Sequence, residues 1–150
     1  MKIAFNYLCI KKRFTHSEEA RKLIHFIIGE EKRKLGAINI IFTNNSYILS
    51  INRKYLKHSY CTDVITFSNN LKSTISGDIF ISIDQVVINA QKFGAPKLEE
   101  LFRVMIHGIL HLIGYVDERE DDRRIIRMKE DFYLSKIMES NTIGSDELIL

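Results

Sequence analysis

Several residue types that often define a protein class are scarce in this chain. Its 150 residues include one proline, two cysteines and no tryptophan. The two cysteines, Cys9 and Cys61, belong to no Cys-x-x-Cys pair, which argues against a disulfide framework, a zinc-thiolate site and a dithiol redox centre. We therefore expect both thiols to be reduced and structural.

Long apolar runs and a strong charge imbalance are also missing. No apolar stretch approaches the roughly 20 residues that a membrane-spanning helix needs. The N-terminal MKIAFNYLCIKK places its basic residues after the apolar run, which is the reverse of a secretory signal. The net charge of +3 is too small to identify a partner by itself. We expect a cytoplasmic protein without a membrane partner.

The composition that remains is that of a globular protein. Hydrophobic residues make up 45% of the chain and charged residues 27%, and no linker or low-complexity tract interrupts it. A chain of this length can close one substantial core. We expect a single domain over residues 1–150, with 141–150 as a loose tail because that segment has no clear period.

Alternation and helical periodicity predict a mixture of strands and helices. Strands are expected at 2–8, 37–43, 63–68 and 76–84, and helices at 17–31, 46–55, 85–93, 97–113 and 122–138. Thr15 with Glu18 predicts a capping box for the first helix, and Asp84 is expected to cap the third. The order of elements indicates an α+β fold in which a mixed central sheet packs against helices.

The segment HGILHLIGYVD, residues 107–117, has the spacing of a metal site. His107 and His111 are four residues apart, so on a helix they lie one above the other, about 5.4 Å apart, and reach one ion. Gly114 can end that helix with a positive φ angle, and the returning chain can bring Asp117 to the same ion. This resembles the metal-site helix of zincins, with Asp117 in the place of a third histidine.

The residue types around this motif indicate which chemistry it serves. Gly108 stands where a zinc peptidase has its glutamate base, so the pattern argues against a peptidase. Three protein ligands with an open fourth position are typical of a catalytic zinc site. One carboxylate among the ligands leaves Mn or Fe open beside Zn, which we expect at one ion per chain. The alternative is that both histidines pack in the core and Asp117 caps a turn.

Three segments together resemble the YbeY family of bacterial metal-dependent endoribonucleases. HGILHLIGYVD is similar to the family signature HGxLHLxGYDH. INRKYLKHSYCTDVITFS and SGDIFIS are similar to two upstream segments of the family, through Asn52, Tyr55, Thr62, Asp63, Val64, Phe67, Gly77, Asp78 and Ile79. The three segments keep the family's order between Ile51 and Asp117, so the resemblance covers the central part of the chain.

The resemblance implies an activity and partners. It implies zinc held by His107 and His111, single-stranded RNA as substrate, and action on ribosomal RNA of the small ribosomal subunit, with no role for DNA. The chain departs from the family at Asp117, where the family has a third histidine, and at Leu56, where it has an arginine. Since leucine cannot contact phosphate, the nearby Arg53 and Lys57 are the candidate catalytic phosphate contacts.

The hypothesis is therefore a zinc-dependent endoribonuclease that is specific for single strands. It would mature the 3′ end of small-subunit ribosomal RNA and serve ribosome quality control. The alternative is a non-catalytic ribosome assembly or RNA-binding factor with a structural metal, and a metallopeptidase is a weaker alternative. Basic clusters such as 11–13, 32–34 and 123–127 favour RNA over a peptide substrate but do not separate the nuclease from the assembly factor.

Overall fold

The computed structural model describes residues 2–56 and 62–139, and within them four strands form one sheet. The strands are β1 (Ile3–Tyr7), β2 (Lys34–Thr43), β3 (Val64–Ser68) and β4 (Thr74–Ser82). Their spatial order is β1-β2-β4-β3, with β1, β2 and β4 parallel and β3 antiparallel to β4. The predicted mixed sheet and the α+β class are thereby confirmed.

Five α-helices accompany the sheet in the described part of the chain. They are α1 (Ser17–Glu30), α2 (Asn45–Ile51), α3 (Ile83–Phe93), α4 (Lys97–Ile113) and α5 (Glu120–Glu139). A π-helical turn at Asn52–Leu56 continues α2. Each predicted helix is present, and none of the helices in the described residues is long and apolar enough to cross a membrane. The predicted tail, 141–150, lies outside the described residues.

Both predicted N-caps were wrong. The N-cap of α1 is His16 without a side-chain cap bond, and Thr15 Oγ1 lies 3.0 Å from His16 Nδ1 instead. Helix α3 begins two residues earlier than predicted, because Ser82 Oγ accepts the Gln85 backbone N–H at 3.2 Å. The Asp84 carboxylate is engaged elsewhere, since it accepts the Asn45 backbone N–H at the start of α2 at 3.0 Å.

The main core lies between one face of the sheet and the helices α1 and α4. Alternate residues of β4 point to opposite faces, so Ile79 and Ile81 join this core while Phe80 packs with Ile48 and Ile51 of α2 on the other face. Helix α4 buries an apolar stripe at helical spacing, which consists of Leu98, Leu101, Met105, Ile109 and Leu112. Burying each such side chain contributes about 2 kcal/mol, so α4 is held firmly against the sheet.

Gly108 sets how closely α4 approaches the sheet. A Cβ atom at this position would lie 2.8 Å from Ile79 Cγ2, which is closer than packed carbon atoms come. The helix therefore meets β4 without an intervening side chain. Position 108 faces the sheet, so a glutamate at this place would collide with β4.

Cys9 is a free cysteine, as expected, but it is exposed. The expectation of a structural role is wrong for this residue, since it adds nothing to the core. Cys61 lies outside the described residues.

Candidate metal centre

One helix and the turn after it supply the three predicted metal ligands. Helix α4 carries His107 and His111 on successive turns and ends at Ile113. Gly114 follows with φ 125° and ψ 2°, a backbone conformation that L side chains rarely adopt, and its N–H bonds to the Leu110 and His111 carbonyls. The chain reverses at this glycine, as predicted, and Asp117 returns to the two imidazoles.

The three side chains converge on one point. His107 Nε2 and His111 Nε2 are 2.9 Å apart, and Asp117 Oδ2 lies 3.4 Å from His111 Nε2 and 3.7 Å from His107 Nε2. Ligand atoms about 2.1 Å from a tetrahedral zinc ion lie roughly 3.4 Å from one another, so these separations suit a shared ion. The histidine side chains are 26% and 22% exposed and Asp117 47%, which leaves one side open to solvent. This group could hold a metal ion.

Glu130 bonds one of the two histidines of the candidate metal centre, and the sequence analysis did not identify it. Its Oε2 lies 2.5 Å from His107 Nδ1, and the residue is only 8% exposed. A hydrogen bond from Nδ1–H to a carboxylate fixes the tautomer of an imidazole and leaves the Nε2 lone pair for a metal. Arg103 Nη1 holds the other carboxylate oxygen at 3.3 Å, and Arg103 Nη2 bonds Asp131 at 2.9 Å.

A signal for Glu130 exists in the sequence. It lies four residues after Ile126 and three before Tyr133, which are both buried on the inner face of α5. A carboxylate at a position of the inward stripe needs a charged or hydrogen-bonding partner inside the protein. That pattern marks Glu130 as a partnered residue, but it does not identify the partner. Two other carboxylates have different partners, since Asp63 accepts a hydrogen bond from Asn89 at 3.1 Å and Asp78 accepts one from Asn39 at 3.3 Å.

The two imidazoles differ in proton affinity although they share one site. Burial lowers the pKa of His107, but the hydrogen bond and charge of Glu130, with the charges of Asp63 and Asp117, outweigh it and raise the pKa above its usual value. Burial, with the charge of His107, lowers the pKa of His111. The environment therefore favours a proton on His107 and the neutral form of His111.

Of the two predicted phosphate contacts, only Arg53 lies within the described residues. Arg53 is exposed on the π-helical turn and is not among the residues that line the cavity beside the histidines. Lys57 lies outside the described residues. Their predicted role as phosphate contacts therefore stays a prediction.

Comparisons with known proteins identify the family. The family model described as Endoribonuclease YbeY matches residues 7–138, which include the whole of the candidate metal centre. The chain belongs to the endoribonuclease YbeY family.

Individual relatives agree with this assignment. A protein named Endoribonuclease YbeY from Karelsulcia muelleri is 45% identical over 113 residues, covering 75% of this chain and 80% of the relative. One of the same name from Flavobacterium psychrophilum is 44% identical over 131 residues, covering 86% and 91%. The resemblance seen in the three motifs is thereby confirmed over most of the chain.

A solved structure supports the fold independently. The solution structure of TM1509 from Thermotoga maritima matches with a TM-score of 0.65 at 23% identity and covers 95% of this chain and 99% of its own. At that identity the likeness shows the fold alone. The YbeY family assignment rests on the sequence matches, and the sheet with its packed α4 agrees with it.

Proposed function

We propose that this protein is a metal-dependent endoribonuclease that cleaves single-stranded RNA, with its activity in one domain over residues 1–150. The observation that carries the proposal is the convergence of His107, His111 and Asp117 in a chain of the endoribonuclease YbeY family. From the family resemblance we propose the 3′ end of small-subunit ribosomal RNA as the substrate. Action on that RNA and in ribosome quality control would place the protein in the cytoplasm.

The donor set fits one zinc ion. We propose that His107 and His111 bind it through Nε2 and that Asp117 binds it through a carboxylate oxygen, with Mn or Fe as alternatives. When bound, such an ion polarises a phosphoryl oxygen and neutralises charge that develops on it. Glu130 keeps the proton of His107 on Nδ1, and Arg103 keeps Glu130 in place.

Contacts to the RNA backbone require cations outside the metal group. Arg53 is exposed and can meet a phosphate without losing an internal partner among the described residues. We retain Arg53 and Lys57 as proposed phosphate contacts, because a guanidinium or ammonium near Leu56 can replace the arginine that the family has there. Basic residues of this kind bind the backbone without reading the base sequence.

Cleavage of a labelled single-stranded RNA tests the proposal. We expect cleavage by the zinc-loaded protein, loss of cleavage after chelation, and recovery when zinc is restored. His111→Ala and Asp117→Ala should each lower bound metal and cleavage at least tenfold. The matched controls are His25→Ala, an exposed histidine of α1, and Asp121→Ala, an exposed carboxylate of α5. Both control variants should retain bound metal and RNA cleavage.

Two results would contradict the proposal. Cleavage that survives chelation and both substitutions would show that the activity does not depend on this metal group. Tight RNA binding without cleavage, whichever of Zn, Mn or Fe is supplied, would favour the assembly-factor alternative.

A further inference from the structure

A cavity of about 690 Å³ extends from the candidate metal centre between α3, α4 and α5. His107 and Asp117 lie at one end of it, and Phe93 and Glu99 line it as well. His107 follows Glu100 by seven positions on α4, which corresponds to about 10 Å along the helix axis. The volume lies within the range of about 300–1,000 Å³ that is typical of small-molecule sites. The cavity is therefore large enough for a nucleotide next to the one at the metal centre.

Phe93 presents an aromatic ring to this cavity. It is the last residue of α3, it is 65% exposed, and Lys92 Nζ lies 5.9 Å from the centroid of its ring. A large exposed aromatic side chain beside a candidate nuclease centre suits base stacking, because every nucleobase has a flat face. Such a ring stacks on any base, so Phe93 alone accounts for binding but not for a preference among the bases.

Glu100 supplies a polar group that lacks an internal partner. Its side chain lines the cavity, the residue is only 5% exposed, and it has no hydrogen bond to any of the described residues. Burial, together with the charge of Asp63, raises the pKa of Glu100 to about 7. The Glu100 oxygens are not among the fully buried unpartnered atoms of the described residues, so this carboxyl group opens to the cavity. A ligand that brings an N–H group would satisfy it.

The charges that line the cavity favour different positions for a base and for a phosphate. Asp63, Glu100 and Glu130 make the interior acidic and repel a phosphate group. Three arginines line the cavity. Arg103 is paired with Glu130 and Asp131, and Arg123 donates to the Asp117 and Glu118 carbonyls. Arg127 is exposed and has neither a hydrogen bond nor an ion pair with the described residues. A phosphate is therefore expected at Arg127 and the base inside.

We propose that the cavity is a nucleobase subsite in which an unpaired base stacks on Phe93 and donates a hydrogen bond from its amino group to Glu100, while Arg127 binds the phosphate. This inference rests on the proposed function and extends it. Adenine, cytosine and guanine carry an amino group, whereas the N3–H of uracil lies between two carbonyl oxygens that repel a carboxylate, so the subsite should disfavour uracil. A base in a duplex has its pairing edge occupied, so the subsite also selects single strands.

The lack of tryptophan makes the subsite directly observable. Phe93→Trp keeps an aromatic face and introduces a single fluorophore into the cavity. Ile88→Trp is the matched control, since Ile88 is an exposed residue of the same helix, 49% exposed, that does not line the cavity. Zinc-loaded protein is titrated with 2′-O-methyl hexamers of adenosine, cytidine or uridine, which report binding separately from cleavage.

We expect the fluorescence of Trp at position 93 to be quenched with an apparent Kd at least fivefold lower for the adenosine and cytidine hexamers than for the uridine hexamer. The Ile88→Trp control should not respond. Adding Glu100→Gln, which keeps the side-chain volume, should reduce this preference to less than twofold. Arg127→Gln should weaken all three hexamers alike and reduce the salt dependence by about one counterion.

The outcomes separate this inference from the function on which it rests. If the unaltered protein binds and cleaves RNA while the Trp at 93 does not respond, the base subsite is wrong and the endoribonuclease proposal stands. If the unaltered protein neither binds nor cleaves RNA, both fail. Equal quenching by all three hexamers would overturn recognition by Glu100. Quenching by a lysine-rich peptide but not by RNA would identify the cavity as a protein-binding site and overturn the inference.

Discussion

Two carboxylates, one directly after α1 and one on α5, are similarly buried but have different partners. Glu31, which follows α1, has a side chain that is 9% exposed and accepts hydrogen bonds from Tyr115 Oη at 2.5 Å, from Lys129 Nζ at 3.0 Å and from Tyr133 Oη. Glu130, the residue after Lys129, bonds Arg103 and the Nδ1 atom of His107. The first joins three elements of the fold, and the second joins the fold to the candidate metal centre.

The difference shows how the role of a buried carboxylate can be recognised. The side chains that donate to Glu31 have no hydrogen bond or ion pair with the candidate metal centre in the described residues, although the Tyr115 backbone bonds His111. Burial raises its pKa, but the hydrogen bonds from Tyr115, Tyr133 and Lys129 together outweigh burial, and the pKa is lowered. The partner of Glu130 has a second nitrogen that faces His111. The role of each carboxylate therefore follows from what its partner contacts.

The largest effect is expected from Glu31→Gln. This change leaves the Lys129 ammonium without its carboxylate and weakens two tyrosine hydrogen bonds, so the free energy of unfolding should fall by about 3 kcal/mol. Urea denaturation measures the loss, and Glu30→Gln, at the exposed neighbouring position, is the control. A loss below about 1 kcal/mol would mean that the three hydrogen bonds do not anchor the fold.

Glu130→Gln should instead act mainly on the metal. Removing the carboxylate beneath a ligand histidine typically costs about 10–100-fold in metal affinity, which is about 1.4–2.7 kcal/mol. Competition with a chromophoric chelator measures this affinity. Asp131→Asn is the control, because Asp131 also bonds Arg103 but has no bond to a ligand histidine. Unchanged zinc affinity in Glu130→Gln would contradict the role of Glu130 in metal binding.

Glu100 is a third buried carboxyl group, and it has no hydrogen-bond donor among the described residues. Its pKa is raised where that of Glu31 is lowered, so its effect on stability has the opposite pH dependence. Burial and the charge of Asp63 raise its pKa to about 7, so the folded state keeps a proton that the unfolded state releases above about pH 4.5. Its contribution to stability is present below pH 4.5 and is lost as the pH rises through 7. Glu100→Gln should therefore match the unaltered protein at pH 4.5 and exceed it by about 1–2 kcal/mol at pH 8.

Urea denaturation at these two pH values tests this sign. Glu99→Gln, at a neighbouring and less buried position, is the control. A variant that gains no stability at pH 8 would show that the folded protein satisfies the ionised Glu100.

The smallest effect is expected from the acid titration of Glu31. Because its pKa is lowered in the folded state, its contribution to stability is present above about pH 4.5 and is lost as the pH falls through the folded value. The unaltered protein should lose up to about 1 kcal/mol more than Glu31→Gln between pH 5 and pH 3. Parallel stability curves for the two proteins would argue against the lowered pKa.

Local patterns were sufficient for much of the fold and for the metal group. The apolar stripe of α4 and the spacing of His107, Gly114 and Asp117 lie within one short segment, where helical geometry fixes which side chains meet. The predicted caps at Thr15 and Asp84 were wrong because alternative donors and acceptors were available nearby, such as Ser82 at the start of α3.

Contacts between distant segments were not predictable from the sequence. Glu130 reaches His107 across 23 residues, and Glu31 reaches Tyr115 across 84. Such pairs depend on how α1, α4 and α5 pack, and a charged residue in the sequence does not reveal that packing. The role proposed for Phe93 and Glu100 likewise depends on the packing of α3, α4 and α5, which brings both residues to one cavity.

The contact between Gly108 and Ile79 has a consequence for the search for loss-of-function variants. Metal sites tolerate ligand displacements of only about 0.2 Å, and a Cβ atom at position 108 would force a shift of Ile79 or of α4, which carries both imidazoles. A mutational screen for lost nuclease activity should therefore find Gly108 as often as a ligand, although glycine has no group that takes part in chemistry. Smaller residues at position 79 should restore nuclease activity to such variants. That result would show that the contact between positions 108 and 79 sets the distance between α4 and the sheet.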